Sequence, residues 1–258
     1  MITSTSNIKI KWLLKLQQKS KVRESEGLFI IEGLRIFEET PSNRIREAYV
    51  SESFYEKYKD KFESDSYKIE VLSERVFEHV SDTKSPQGIL CVVEMQHYAL
   101  EQIIARRPVH ILILEDIRDP GNMGTIIRSA EGAGVTGILL SKNCVDIYNP
   151  KVIRSTMGSV YRVPFLYVES LQDSIMSLKK ENINIYATSL EGTEYYADGQ
   201  YNVDLAFMLG NEANGLSVEM ASLADAQVKI PMQGKVESLN VAIAASIFMF
   251  EVCRQRRE

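Results

Sequence analysis

Histidine and cysteine are scarce in this sequence, and neither is clustered. His79, His97 and His110 lie far apart, which leaves no histidine-centred hydrolytic constellation and no zinc-ligand spacing. Cys91, Cys144 and Cys253 are odd in number and form no C-x-x-C pair, so they read as reduced, mostly buried thiols of a cytosolic protein. No G-x-G-x-x-G is present, and no Lys-Ser or Lys-Thr follows Gly215 to make a P-loop. The longest uncharged apolar stretch, 238–250, falls well short of the roughly 20 residues that span a bilayer. The N-terminus is polar and basic without the apolar core of a signal peptide, so the expected location is the cytoplasm, with no membrane partner. A formal charge of −5 excludes a surface coated in basic residues for generic polyanion binding.

A local basic patch is nevertheless there. Lys9, Lys11, Lys15, Lys19, Lys21 and Arg23 fall within the first 23 residues, with no acidic residue among them. On an exposed helix such lysines can be an ordinary solvated face or a set of phosphate contacts. Helical spacing is present over 7–18, where Ile10, Leu13 and Leu14 are apolar. Strand-like pieces at 28–31, 48–50, 68–72 and 88–94 alternate with helical ones at 34–39, 54–62 and 74–80, which predicts a small α/β domain over 1–95. A polar linker is expected at 96–107, with one helical turn near its centre.

The remainder, 108–258, has a clearer alternation. Strands are expected at 109–114, 137–140, 183–187, 205–209 and 227–230, and helices at 124–132, 150–157, 171–180, 218–223 and 238–254. That order implies a mainly parallel sheet with ligand loops at the C-terminal ends of its strands.

Three loops stand out. In the first, Pro120-Gly121 sets a tight turn and Asn122 is placed to cap a helix whose stripe is Met123, Ile126, Ile127 and Ala130. Arg128 and Glu131, three apart, share a face away from that stripe. Alone, this reads equally as an ordinary capped helix with a surface ion pair. The second loop runs Leu209-Gly210-Asn211-Glu212-Ala213-Asn214-Gly215-Leu216-Ser217. Gly210 would let backbone approach a ligand, or simply make a strand-to-helix turn. The third is Ile230-Pro231-Met232, then Ser238-Leu239-Asn240 opening a last helix that is apolar nearly all round. Such a helix must be buried on several sides, a need that a core helix also contributing to a subunit interface would meet. Ser238 there is either a helix cap or, with Asn240, a ligand contact.

Taken together, the three loops resemble the SpoU (TrmH-like) family of RNA ribose methyltransferases. The matching motifs are NxGxxxRxAExxG over 122–134, LGNExxGLS over 209–217 and IPMxGxVxSLNVAxAxxIxxFE over 230–251. The N-terminal part is similar, more loosely, to the family's ribosomal-protein-like RNA-binding domain, through Asn7 and its lysines, 27–33 with Arg35, and Thr83 with Pro86-Gln87-Gly88.

The resemblance implies a fold: an α/β SPOUT-type methyltransferase domain with a deep trefoil knot, preceded by a small α/β RNA-binding domain. It implies S-adenosylmethionine as methyl donor, held by Gly210, Ile230 and Leu239 with Ser189 and Leu190 close by, no metal, and a homodimer built through the C-terminal domain. It points to Arg128 as the catalytic residue, surrounded by Asn122, Glu212, Ser238 and Asn240. Arginine is a poor base at a pKa above about 12, so Arg128 is read as a phosphate clamp and alkoxide stabiliser, with transient base action as the other option. Glu212 would hold Arg128 or the second loop. Lys9, Lys11, Lys15, Lys19, Lys21, Arg23 and Arg35 are the expected RNA contacts. The expected substrate is ribosomal RNA, 23S in particular. The alternatives are transfer RNA, or a non-catalytic RNA-binding or assembly protein that keeps the fold.

Overall fold

The Asn7 side chain accepts a hydrogen bond from the Lys9 N–H at 2.9 Å and so starts helix α1 (Ile8–Gln18). The computed structural model describes residues 1–62 and 67–257. Ile10, Leu13 and Leu16 form the buried stripe of α1; Leu14, expected there, is only half-buried. Lys19 is extended (φ −123°) and separates α1 from a second helix, α2 (Ser20–Glu26), which the uniform run of lysines hides in the sequence. Gly27 ends α2 at φ 65°, a left-handed conformation that costs a residue with a Cβ about 1 kcal/mol or more.

The chain forms two compact units, Met1–Gln96 with Asp146–Gly158, and His97–Val145 with Ser159–Glu258. In the first, β1 (Leu28–Glu32), α3 (Leu34–Glu39), β2 (Ile45–Ser51), α4 (Glu52–Lys57), β3 (Lys68–Leu72), α5 (Glu74–Val80) and β4 (Ile89–Glu94) follow in order. The sheet order is β1-β4-β2-β3; β4 runs antiparallel to β1 and β2, and β2 parallel to β3. Side chains alternate across it. Leu28, Ile30, Tyr49, Leu90 and Val92 join α1 and α5 in one core. Phe29, Ile31, Ala48, Val50 and Cys91 are buried on the opposite face. The helix expected over 54–62 is shorter: α4 stops at Lys57 and a 3-10 turn follows.

The second unit carries α6 (Leu100–Ile104), β5 (His110–Leu114), α7 (Pro120–Gly132) and β6 (Gly137–Leu140). Helix α8 (Pro150–Thr156) comes next in the chain but packs in the first unit, against β1. The second unit then continues with β7 (Phe165–Tyr167), α9 (Leu171–Lys180), β8 (Asn184–Thr188), β9 (Glu194–Tyr195), β10 (Leu205–Leu209), α10 (Val218–Ser222), β11 (Ala226–Lys229) and α11 (Val241–Gln255). Strands β7 and β9 were not expected; three and two residues are too few for a periodic signal.

The sheet order is β7-β6-β5-β10-β8-β11-β9, every pairing parallel. Ile111, Ile113, Ile185 and Met208 pack with Ile103, Ile175 and Met220 from α6, α9 and α10 on one face. On the other, Phe207 meets Phe248 of α11 at 5.1 Å between ring centroids, and α11 lies along α7. Burying each such side chain contributes about 1.5–3 kcal/mol.

Placing all of 108–258 in one domain is therefore corrected for 146–158. Tyr148 sits 4.5 Å from Phe29 between ring centroids, and Val152 and Ile153 are buried. The same segment corrects Arg23 as an RNA contact. Its side chain is 3% exposed; the guanidinium donates to Asp146 Oδ2 at 2.8 Å and to the carbonyl oxygens of Leu16 and Gln17. A guanidinium this committed cannot reach a phosphate.

Candidate active site

Strand β5 neighbours β6 on one side and β10 on the other, so the chain order reverses at the β5/β10 crevice, where open parallel sheets bind ligands. Both loops leaving that crevice carry a sequence motif. Three hydrogen-bonded links staple them together. Ser217 donates to Glu115 through its N–H and its hydroxyl, each at 2.8 Å. Asn211 Nδ2 donates to the Asp116 carbonyl at 2.8 Å. Glu212 accepts from the N–H of Asp119 and of Arg118 at 3.2 and 3.4 Å, and from Asn122 Nδ2 at 3.0 Å. Burial pushes the Glu212 carboxyl up, but the Asn122 amide and these backbone donors outweigh it and hold its pKa below the usual value.

The third loop joins the same cluster. Asn240 Nδ2 donates to Asn122 Oδ1 at 2.9 Å, while Asn240 Oδ1 accepts from the N–H of Ala242 and Ile243 and caps α11. Glu212, Asn122 and Asn240 thus form one continuous chain of hydrogen bonds across all three motifs.

Two helix starts differ from expectation. Helix α7 begins at Pro120, and its cap is the Asp119 carboxylate, which accepts the Asn122 N–H at 2.7 Å. Proline suits the first helical position, so the start moves back and frees the Asn122 side chain for the other loops. Helix α11 begins at Val241, which leaves Ser238 exposed in the preceding loop and not within the helix.

Arg128 is not part of this hydrogen-bonded cluster. It is exposed on α7 in line with Gly121, Thr125 and Gly132, and among the described residues it makes no hydrogen bond or ion pair. The expected pair with Glu131 does not form. Glu131 bonds Arg162 and Ser159 instead, and the Arg162 guanidinium holds its carboxyl below the usual range. Glu212 accordingly holds the second loop to the first, not Arg128.

Gly210 follows β10 directly, and its side-chain position is already filled: a Cβ there would lie 2.0 Å from the Gly215 carbonyl carbon. The Gly215 N–H closes the turn onto the Asn211 carbonyl at 2.8 Å. Strand β8, next to β10, leads into Ser189 and Leu190; β11, next to β8, leads into Ile230. The Ser189 N–H bonds the Val228 carbonyl at 3.0 Å, so these loop starts lie side by side. Leu190 is exposed, and Ile230 and Leu239 are half-buried.

Glu115, Asp116, Asn211 and Ser217 were given no role in the sequence, although Asn211 and Ser217 belong to the second motif. Asp116 is left-handed at φ 57°, held by its N–H and carboxylate on Ser141 Oγ at 2.9 and 2.7 Å. Strain of this kind collects at functional sites. The visible signal was an acidic pair directly after a buried strand.

Residues 109–250 match the model of the SpoU rRNA Methylase family. The chain belongs to that family. Residues 7–91 match the MRM3-like substrate binding domain that accompanies this SpoU methylase region here. The chain is 31% identical to the 23S rRNA (guanosine(2553)-2′-O)-methyltransferase RlmP of Bacillus subtilis, over 97% of this chain and 98% of that protein. Among solved SpoU-like structures, the AdoMet-bound rRNA methyltransferase from Sinorhizobium meliloti superposes with a TM-score of 0.87 at 31% identity, covering 98% of this chain and 97% of that one. The SpoU methyltransferase AviRb from Streptomyces viridochromogenes, in complex with AdoMet, superposes at 0.89 with 25% identity, covering 98% and 99%. Among the described residues no helix is long and apolar enough to cross a membrane, and no group of three or more His, Cys, Asp or Glu could hold a metal ion.

Of the other expected RNA contacts, Lys11, Lys15, Lys19, Lys21 and Arg35 are exposed. Lys9 differs: its ammonium bonds Glu70 at 2.8 Å and Glu47 at 3.3 Å.

Proposed function

We propose that the protein transfers a methyl group from S-adenosylmethionine to a ribose 2′-hydroxyl of ribosomal RNA, with 23S rRNA the favoured target. The observation that carries this reading is the hydrogen-bonded chain Glu212–Asn122–Asn240, which draws three distant motifs to one end of the parallel sheet. The kinship with RlmP and the family's substrate-binding domain favour ribosomal over transfer RNA.

S-adenosylmethionine supplies an electrophilic methyl group on a sulfonium. Displacement at that methyl requires alignment above all, and a stapled set of loops provides it. Gly210, Ile230 and Leu239, with Ser189 and Leu190 at the rim, hold the cofactor. Arg128, exposed and without a partner among the described residues, takes a substrate phosphate and stabilises the developing alkoxide. Asn122 and Asn240 orient the sugar through the second N–H of each side-chain amide, the first being held by Glu212 and by Asn122 respectively. Glu212 keeps the loop geometry, and exposed Ser238 meets the substrate. In this reading 108–258 without 146–158 is the catalytic domain, with a deep trefoil knot formed by its C-terminal loops, and 1–95 binds substrate; the segment 96–107, expected as a linker, instead packs Ile103 of α6 into the core of the second unit. The protein acts in the cytoplasm as a homodimer. Ile243 and Phe250, 52% and 48% exposed on a helix otherwise apolar, support packing of a second copy against α11.

Incubation with tritiated S-adenosylmethionine and an unmodified 23S rRNA transcript should leave label in an alkali-resistant dinucleotide. Label on a base nitrogen, with every phosphodiester cleaved by alkali, refutes the ribose assignment; label confined to transfer RNA moves the target. Arg128→Ala should abolish turnover and leave S-adenosylhomocysteine affinity within about severalfold.

A further inference from the structure

Two adjoining cavities open on the first unit, of about 700 and 310 Å³, and they share Arg35 and Gln87. The larger lies between α3 and α4 and falls in the size range of small-ligand sites. Its wall carries two cations, Arg35 and Lys57, against one carboxylate, Glu38. Phe54 and Tyr58 give two aromatic rings 4.5 Å apart between centroids, the first buried and the second half-buried. The Lys57 ammonium stands 5.0 Å from the Tyr58 ring centroid. Arg35 is exposed across the cavity and makes no ion pair among the described residues. Gln87 is fixed: its Oε1 accepts the Leu34 N–H at 2.8 Å. With that oxygen engaged, the amide presents its two N–H donors to a ligand.

Stacking rings, two cations and a fixed amide donor are the parts that hold single-stranded nucleic acid. We infer that this cleft binds an unpaired nucleotide of the substrate RNA. The base stacks on Tyr58 over Phe54, its carbonyl edge accepts from Gln87, and Arg35 and Lys57 meet the flanking phosphates. Lysines and arginine alone would set affinity; the rings and the amide add a preference for a splayed base over a duplex. The inference rests on RNA being the substrate, and it places a recognition point in the first unit.

Full-length protein is irradiated with a 4-thiouridine-substituted 23S rRNA transcript, and the cross-linked peptides are mapped. Cross-links are expected in the peptide carrying Phe54, Lys57 and Tyr58. Tyr58→Leu, Lys57→Ala and Arg35→Ala should each raise KM for the transcript by about tenfold, with the dissociation constant for S-adenosylhomocysteine within about twofold; Tyr58→Phe, which keeps the ring, should restore KM. Normal methyl transfer with unchanged KM in all three variants, and no cross-link at this peptide, overturns the cleft and leaves the enzyme reading intact. Cross-links at Tyr58 without methyl transfer to any RNA do the reverse: the cleft stands and the enzyme reading falls.

Discussion

Asn240 Nδ2 donates to Asn122 Oδ1 at 2.9 Å, tying the cap of the last helix to the first turn of α7 although 118 residues separate them. Neither side chain works alone. Asn122 also holds Glu212, and Asn240 also caps α11. Asn122→Ala and Asn240→Ala should each lower kcat by about 100-fold through misplacement of the loops. Because both act on one network, the double variant should lose far less than the product of the two. Steady-state kinetics of the single and double variants check this; fully multiplicative losses would show that the two residues act independently.

Gly210 has no room for a methyl group. A Cβ would press on the backbone of Gly215 and Leu216, not on a flexible side chain. Gly210→Ala should destabilise the loop by about 1–3 kcal/mol. Titration calorimetry should then find S-adenosylhomocysteine binding sharply weakened, while far-ultraviolet circular dichroism stays native at low temperature. Unaltered binding would mean that the turn can open without affecting the cofactor site.

His110 gives the fold a dependence on acid. It is 1% exposed on β5, and its Nε2 has no hydrogen-bond partner among the described residues. Burial, and then the nearby Arg256 charge, push its pKa down to about 3 from the ordinary 6.5. The unfolded chain therefore binds a proton below about pH 6.5 that the folded chain refuses, so stability is full above that pH and falls as pH drops toward 3. The carboxyls held below their usual values, Glu131, Glu212 and Glu251 among them, act only below about pH 4.5. Between pH 4.5 and 6.5 the slope should approach about 1.4 kcal/mol per pH unit. His110→Phe should flatten it in urea titrations run across that window.

The lysines of α1 and the arginine of α2 should separate by assay. Lys11→Ala with Lys15→Ala should weaken RNA binding and reduce its salt slope by about two, with Tm unchanged. Arg23→Ala should do the opposite. Removing one partner of a buried ion pair costs about 3–5 kcal/mol, so Tm falls, while salt dependence of RNA binding holds. Filter binding at several salt concentrations, beside thermal melts, tells the two apart.

The sequence was most legible where motif and physics coincide. The stripe Met123, Ile126, Ile127 and Ala130 is buried as its spacing requires, and the parallel sheet follows from alternating strands and helices. The meeting of Asn122, Glu212 and Asn240 was legible only through family resemblance, since no local rule connects loops so far apart. Charge pairing was poorly legible. Arg128 and Glu131 share a face by spacing, yet Arg162 reaches Glu131 from a different element. Arg23 belongs to a run of exposed lysines by composition, yet the break at Lys19 turns it inward onto Asp146. Helix starts moved by a few residues where proline or an aspartate offered a better first turn.

Residues 146–158 have a consequence for the order in which the protein can be built. A ribosome delivers the four strands of the first sheet long before it delivers Asp146 and Tyr148. Until then Arg23 has no carboxylate facing it, and Phe29 lacks the ring that covers it. The nascent N-terminal layer is thus held incomplete while β5 and β6 are still being translated, and it closes only when a segment from beyond them returns.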